Sequence, residues 1–187
     1  LPVSWTDTTS GFVFSTSAPD PTGNLSASTS GLMPGPHMIE LTVSDTSGGQ
    51  DTQTVDIVIN GLPTANILEP LSGAEVTQGQ PVVFEAEFTD YEGSLETLTV
   101  TWESSVDGLL PAAPNPDATG LHTFTTSTLS SGSHLITVTV EDVDGATAAD
   151  TVTLGTLEAP DVAIATPLAS EVFNEDVAIP FTGTATD

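Results

Sequence analysis

Shifting the chain by 97 positions lays Leu1 to Asp90 over Leu98 to Asp187 without a gap, and 27 of the 90 aligned positions are identical. The matches fall on residues that punctuate structure. Trp5 lies on Trp102, Gly11 on Gly108, Pro19 and Asp20 on Pro116 and Asp117, Gly35 and His37 on Gly132 and His134, Asp45 on Asp142, Pro63 on Pro160 and Phe84 on Phe181. An ungapped self-match of that length predicts duplicated modules, read from the middle of a repeat. A 97-residue period suits a small sandwich domain that buries its own core, and repetition favours architecture over catalysis.

The residues between those landmarks predict an all-β chain. Short Val, Ile, Thr and Phe runs alternate with period two, and 16 Gly and 14 Pro interrupt them, so no stretch reads as a helix. In the stretch from Pro63 to Glu158, strands are expected at Ala65 to Leu68, Pro81 to Thr89, Leu98 to Glu103 and Leu121 to Ser127. A final hairpin pairs Ser133 to Glu141 with Ala149 to Thr156 through Asp142-Val143-Asp144-Gly145. Alternation puts Val82, Phe84, Ala86 and Phe88 on one face, and Leu98, Val100 and Trp102 on another. Ile136, Val138, Val140, Val152 and Leu154 point the same way from the hairpin. Pro111, Pro114 and Pro116 mark an irregular crossing, and Pro70, Gly73 and Gly79 a loop. About seven short strands with a Trp on the third predict tandem Greek-key β-sandwiches of immunoglobulin type.

The stretch from Leu129 to Leu154 resembles the last strand pair of PKD-type and other bacterial immunoglobulin-like repeats, and Met33 to Ile59 carries the same pattern with His37, Asp45 and Gly48. After Trp102, where PKD domains carry Asp-Phe-Gly-Asp-Gly, this chain has Glu103-Ser104-Ser105-Val106-Asp107-Gly108. In length, acidity and strand pattern the chain is also similar to the calcium-stiffened extender repeats of long bacterial adhesins, a resemblance that implies a spacer or filament role.

Boundaries are expected at Gly61-Leu62-Pro63 and Glu158-Ala159-Pro160, links too short to be flexible and stiffened by Pro. Residues 1–62 then form a module lacking its first two strands, 63–158 a complete module, and 159–187 the first two strands of a further one. Two periods exceed the 187 residues by seven, the length of the loop from Tyr91 to Thr97. The tail of one copy is therefore expected to complete the front of the next, head to tail. That joining takes place along one continuous polypeptide, the preferred version, or between subunits by strand complementation; an arbitrary segment boundary is the third alternative.

Charge narrows the partners. The chain has no Lys or Arg against 26 Asp and Glu, a formal charge of −26, where average usage gives about twenty basic residues. Such a chain repels phosphate backbones, which excludes nucleic acid, and disfavours anionic membranes. It attracts cations, and oxygen-rich loops point to calcium; the plain alternative is a solubilising, salt-adapted surface. Without Cys there are no disulfides or thiolate sites, and without basic residues no trypsin-type cleavage sites, which suits an exposed location. No apolar run long enough for an anchor and no leader are visible, and the first residue is Leu1, so a mature or excerpted chain is expected.

In an immunoglobulin-type sandwich the loop after the second strand and the loop of the last hairpin share a pole. Asp90, Glu92, Asp142 and Asp144 are expected there, with Asn60 or the linker backbone above them. Four carboxylates so close would repel unless a cation sat among them, so they are the candidate calcium ligands; Asp-x-Asp-Gly is equally an ordinary turn sequence. The next joint offers Glu158, Asp161 and Asp187. His37 and His134 read as corner residues bonded to backbone, His122 as no part of a metal trio, and Trp5 and Trp102 as core. Asn24-Leu25-Ser26 is a glycosylation sequon. No Gly-x-Ser-x-Gly elbow or specific acid pair is present, so no enzyme is expected. The expectation is a structural repeat of an extracellular or cell-surface prokaryotic fibre, stalk or adhesin spacer. The alternative is an accessory carbohydrate-binding or spacer module of a secreted polysaccharide-degrading enzyme.

Overall fold

The computed structural model describes residues 1–187 and holds fourteen strands and one short 3-10 turn, with no α-helix. No helix is long and apolar enough to cross a membrane. The front of the chain contains β1 (Val3–Asp7), β2 (Phe12–Ser15), β3 (Gly35–Ser44) and β4 (Gln50–Ile59). These form one four-stranded sheet in the order β2-β1-β3-β4.

The middle contains β5 (Thr64–Glu69), β6 (Ala74–Thr77), β7 (Val82–Thr89), β8 (Thr99–Ser104), β9 (Gly108–Leu109), β10 (Leu121–Thr126), β11 (Gly132–Glu141) and β12 (Thr147–Leu157). They build two sheets, β10-β7-β5 and β6-β12-β11-β8-β9, that close as an immunoglobulin-like sandwich. The inward positions are those that alternation assigns: Val82, Phe84, Ala86 and Phe88 face Leu98, Val100, Trp102, Ile136, Val138, Val140, Val152 and Leu154 in one core. Phe84 lies edge-on to Trp102 at 5.5 Å between ring centroids and stacks on Phe124 at 4.9 Å. Such aromatic pairs add to the burial free energy.

The 3-10 turn Leu95–Thr97 leads into β8, which starts one residue later than the sequence pattern suggests. The strand β6 corrects that pattern. Its four residues lie in the segment read as a loop, between Gly73 and Gly79, and pair in parallel with β12, Gly155 opposite Glu75 and Thr156 opposite Val76. A run this short gives too few alternations to distinguish strand from loop.

The tail forms a two-stranded antiparallel hairpin of β13 (Asp161–Thr166) and β14 (Thr182–Thr186), exposed along its length. Pairings in front and tail follow those of the middle. Val3 pairs with Val43 as Val100 does with Val140, Gly35 with Ile59 as Gly132 does with Thr156, and Val162 with Ala185 as Ala65 does with Phe88.

Candidate functional site

Four turns of the chain share one construction. Asp20, Asp45, Asp117 and Asp142 each stand three residues before a glycine of positive φ, Gly23, Gly48, Gly120 and Gly145. In each, the Asp Oδ1 accepts the backbone N–H two and four residues on: Thr22 and Asn24, Ser47 and Gly49, Thr119 and Leu121, Asp144 and Ala146, at 2.7–3.0 Å. The carboxylate supplies the acceptor that these backbone N–H groups of a tight turn otherwise lack. These bonds favour the charged form. Asp20 is held at about 2, chiefly by the Thr22 hydroxyl. The Ser47 hydroxyl lowers Asp45, the Thr119 hydroxyl Asp117, and the Asn60 amide Asp142.

This geometry sorts the four expected metal ligands. Asp142 is buried and fully used: Oδ1 caps its turn, and Oδ2 accepts from Asn60 Nδ2 at 2.8 Å. Asn60 therefore does stand above the hairpin loop, as a hydrogen-bond donor across the joint. Asp144 is exposed at the turn. Asp90 Oδ1 and both oxygens of Glu92 are buried with no hydrogen-bond partner. Glu92 lies under the linker, where a Cβ on Gly61 would come 3.1 Å from Oε1 and 3.0 Å from Pro34 Cβ. No three acidic or His side chains are arranged as a ligand group. Three orphaned carboxylate oxygens fit a hard cation; the donor set of Asp142 does not, because backbone and amide N–H groups already occupy it. At the next joint Glu158 accepts from Ser131 Oγ at 2.9 Å, while Asp161 and Asp187 are exposed.

The three histidines are structural. His134 Nε2 donates to the Ser130 carbonyl at 2.9 Å with Nδ1 against Ser104 Oγ at 2.8 Å. His122 takes the Trp102 indole N–H at 3.3 Å and reaches the Ala113 carbonyl at 2.7 Å. His37 donates to the Met33 carbonyl and faces the buried carboxylate of Asp7, a residue whose part the sequence pattern leaves unread. At the position of Asp7 the middle sandwich has Ser104, so no repeated motif marks it.

The second notable surface is the sheet β2-β1-β3-β4, which has no facing sheet. Trp5, Leu41 and Val43 are half-buried, while Trp102, Val138 and Val140 at the matching positions are fully buried. Trp5 thus departs from its expected core environment, and Phe14 is its aromatic neighbour at 6.4 Å. Conversely Phe181, on the residue matching the fully buried Phe84, is 74% exposed.

Among curated proteins none matches the chain. Solved structures similar to it include the fibronectin(III)-like modules of Clostridium thermocellum CbhA, at 17% identity and a TM-score of 0.43 over 84% of this chain and 78% of that one. Domains 4 and 5 of the S-layer protein SbsC are similar at 19% identity and a TM-score of 0.39 over 67% of each chain. The family model of the PKD domain matches residues 70–154, the stretch that spans β6 to most of β12. Over that segment the chain is similar to a PKD domain, in keeping with its immunoglobulin-like fold.

Proposed function

We propose that the chain is a structural segment of an extracellular or cell-surface fibre, stalk or adhesin spacer, built from tandem modules of 97-residue period that join head to tail, and that it is not an enzyme. The modules run 1–62, 63–158 and 159–187, the outer two incomplete. The observation that carries this reading is the pairing of Phe84 with Trp102. It closes the middle sandwich, while the matching Trp5 and Phe181 are left half-covered and exposed at the two ends of the chain. Strand pairings that recur at a shift of 97 support the period.

The mechanism is mechanical. Each complete module buries its aromatic and aliphatic core, and each short Pro-bearing link transmits orientation to the next. Covering Ile164, Phe173, Ile179 and Phe181 against a facing sheet contributes on the order of 10 kcal/mol gross, from which association and ordering costs are subtracted. Calcium belongs to the proposal at the joint. Asp90 and Glu92 would hold it through their orphaned oxygens, and the ion would supply charge neutralisation that fixes Gly61 and Pro34 against the loop. Negative-stain microscopy of the concentrated chain tests the fibre: unbranched filaments are expected, and fields of isolated short particles would contradict it.

A further inference from the structure

The front sheet and the middle sandwich meet at a joint tied by a single hydrogen bond. Asn60 Nδ2 donates to Asp142 Oδ2 at 2.8 Å, and no other hydrogen bond runs between residues 1–62 and 63–187. The rest of the joint is close packing. Gly61 is buried, and a Cβ there would lie 3.0 Å from Pro34 Cβ and 3.1 Å from Glu92 Oε1. Packing therefore favours glycine at 61, and the bond requires a side-chain donor at 60. Together they write Asn-Gly, which occurs once in the chain: Asn24, Asn66, Asn115 and Asn174 precede Leu, Ile, Pro and Glu.

That dipeptide has a chemistry of its own. Asn is among the chemically labile residues, and a glycine nitrogen has no Cβ beside it to hinder attack on the preceding side chain. Asn60 is exposed, so water reaches its carboxamide. We propose that Asn60-Gly61 is a site of spontaneous deamidation, and that its bond to Asp142 makes the rate follow the opening of the joint. The Gly61 nitrogen loses its proton to solvent and bonds to Asn60 Cγ, the Cγ–Nδ2 bond breaks, and Nδ2 takes up a proton and leaves as ammonia. Water then adds to one carbonyl of the five-membered succinimide and opens it, to aspartate or to isoaspartate. Ring closure turns the Asn60 side chain onto its own backbone and away from Asp142. The closed joint, with Asp142 holding Nδ2 and with Pro34 and Glu92 walling Gly61, withholds the reaction.

The product reverses the contact. A donor amide becomes a carboxylate facing the buried Asp142, whose own charge is fixed by the N–H groups of its turn. The chain contains no Lys or Arg to pair the two, so they repel. The joint then has no hydrogen bond left and a like-charge pair in its place. A link that stays closed keeps its amide, and a link that flexes converts and cannot relock. This concerns the joint within one chain, and it goes beyond the fibre reading without depending on it.

Ageing the full chain at physiological temperature and neutral pH, with EGTA present so that calcium plays no part, tests the site by peptide mass spectrometry. When Asn60 is half converted, the other four Asn are expected to be intact. D142A removes a charged acceptor, which raises the population of the open joint, and is expected to speed conversion at Asn60 by about tenfold while Asn66, inside β5, stays unconverted. The deamidated chain separates from the intact one by its extra negative charge, and its amides around Tyr91, across the joint, are expected to exchange several-fold faster. Asn60 unconverted, or converting no faster than Asn24 in its exposed loop, would overturn the site. Equal rates in D142A and the unmodified chain, or matching acceleration at Asn66, would overturn the coupling to the joint. Unchanged exchange around Tyr91 in the deamidated chain would overturn the consequence.

Discussion

His37 Nδ1 lies 2.9 Å from Oδ2 of the buried Asp7, while its Nε2 lies 2.7 Å from the Met33 carbonyl. A carbonyl and a carboxylate only accept, so both ring nitrogens must carry protons and the pair is an imidazolium against a carboxylate. Asp7 also accepts from Ser10 Oγ and Thr9 N–H. These partners, Ser10 foremost, hold it at about 2 from an ordinary 3.8. His37 is raised above 6.5, first by the Met33 carbonyl and then by Asp7.

The pair therefore contributes stability over a bounded pH window. The His37 share is full below 6.5 and is lost as pH rises through its higher folded value; the Asp7 share is full above 3.8 and is lost as pH falls through about 2. Imidazole titration by NMR is expected to place His37 above 6.5 in the unmodified chain and to move it down in D7S, which installs the residue found at Ser104. An unmoved His37 in D7S would remove Asp7 from the explanation.

Replacing Asp142 tests whether that carboxylate is a turn cap or a metal ligand. D142A strands the N–H groups of Asp144 and Ala146 and frees Asn60, and it is expected to lower Tm by about 4–8 °C. D144A, at an exposed position, should leave Tm nearly unchanged. The same capping predicts acid sensitivity. Depressed carboxylates contribute above 3.8, and their contribution falls as pH drops through their folded values, about 2 at Asp20. Equal losses from D142A and D144A would contradict this division.

Gly35 carries the joint by its lack of a side chain. Its φ is +119, and a Cβ there would lie 2.7 Å from Tyr91 Cε1, so G35A meets both backbone strain and the ring of the adjoining loop. It is expected to cost about 1–2 kcal/mol or more and to speed amide exchange around Tyr91. G23A, with φ +89 and open space around it, carries the backbone cost alone and leaves Tyr91 unaffected. Identical exchange at Tyr91 in both variants would show that the ring does not seat on Gly35.

Calcium at the joint predicts that EGTA lowers Tm by several degrees and that E92Q abolishes the difference, because Glu92 supplies two of the three orphaned oxygens. A Tm indifferent to both chelator and added calcium would remove the ion from the account.

The sandwich was legible because its inward positions alternate through long strands. Phe84, Trp102 and Ile136 could be placed in the core from periodicity alone. The strand β6 was not, since four residues between glycines carry no periodicity and only their parallel partner β12 makes them a strand. Convergence of Asn60 on the Asp142 loop was foreseeable from topology. That Asp142 spends its oxygens on N–H donors follows the Asp-x-x-Gly pattern it shares with Asp20, Asp45 and Asp117; Asp90 carries the same spacing to Gly93, which has no positive φ, so the spacing alone does not single out the capped turns. Trp5 is half-buried because its environment depends on strands that the front sheet does not contain.

Sedimentation equilibrium over a wide concentration range tests the central claim, that the open front sheet and the exposed hairpin are complementary parts of one repeated module. The account predicts a weight-average mass that climbs from 19.1 kDa toward multiples of it and falls back in F181A. A mass fixed at the single-chain value at every concentration would contradict it.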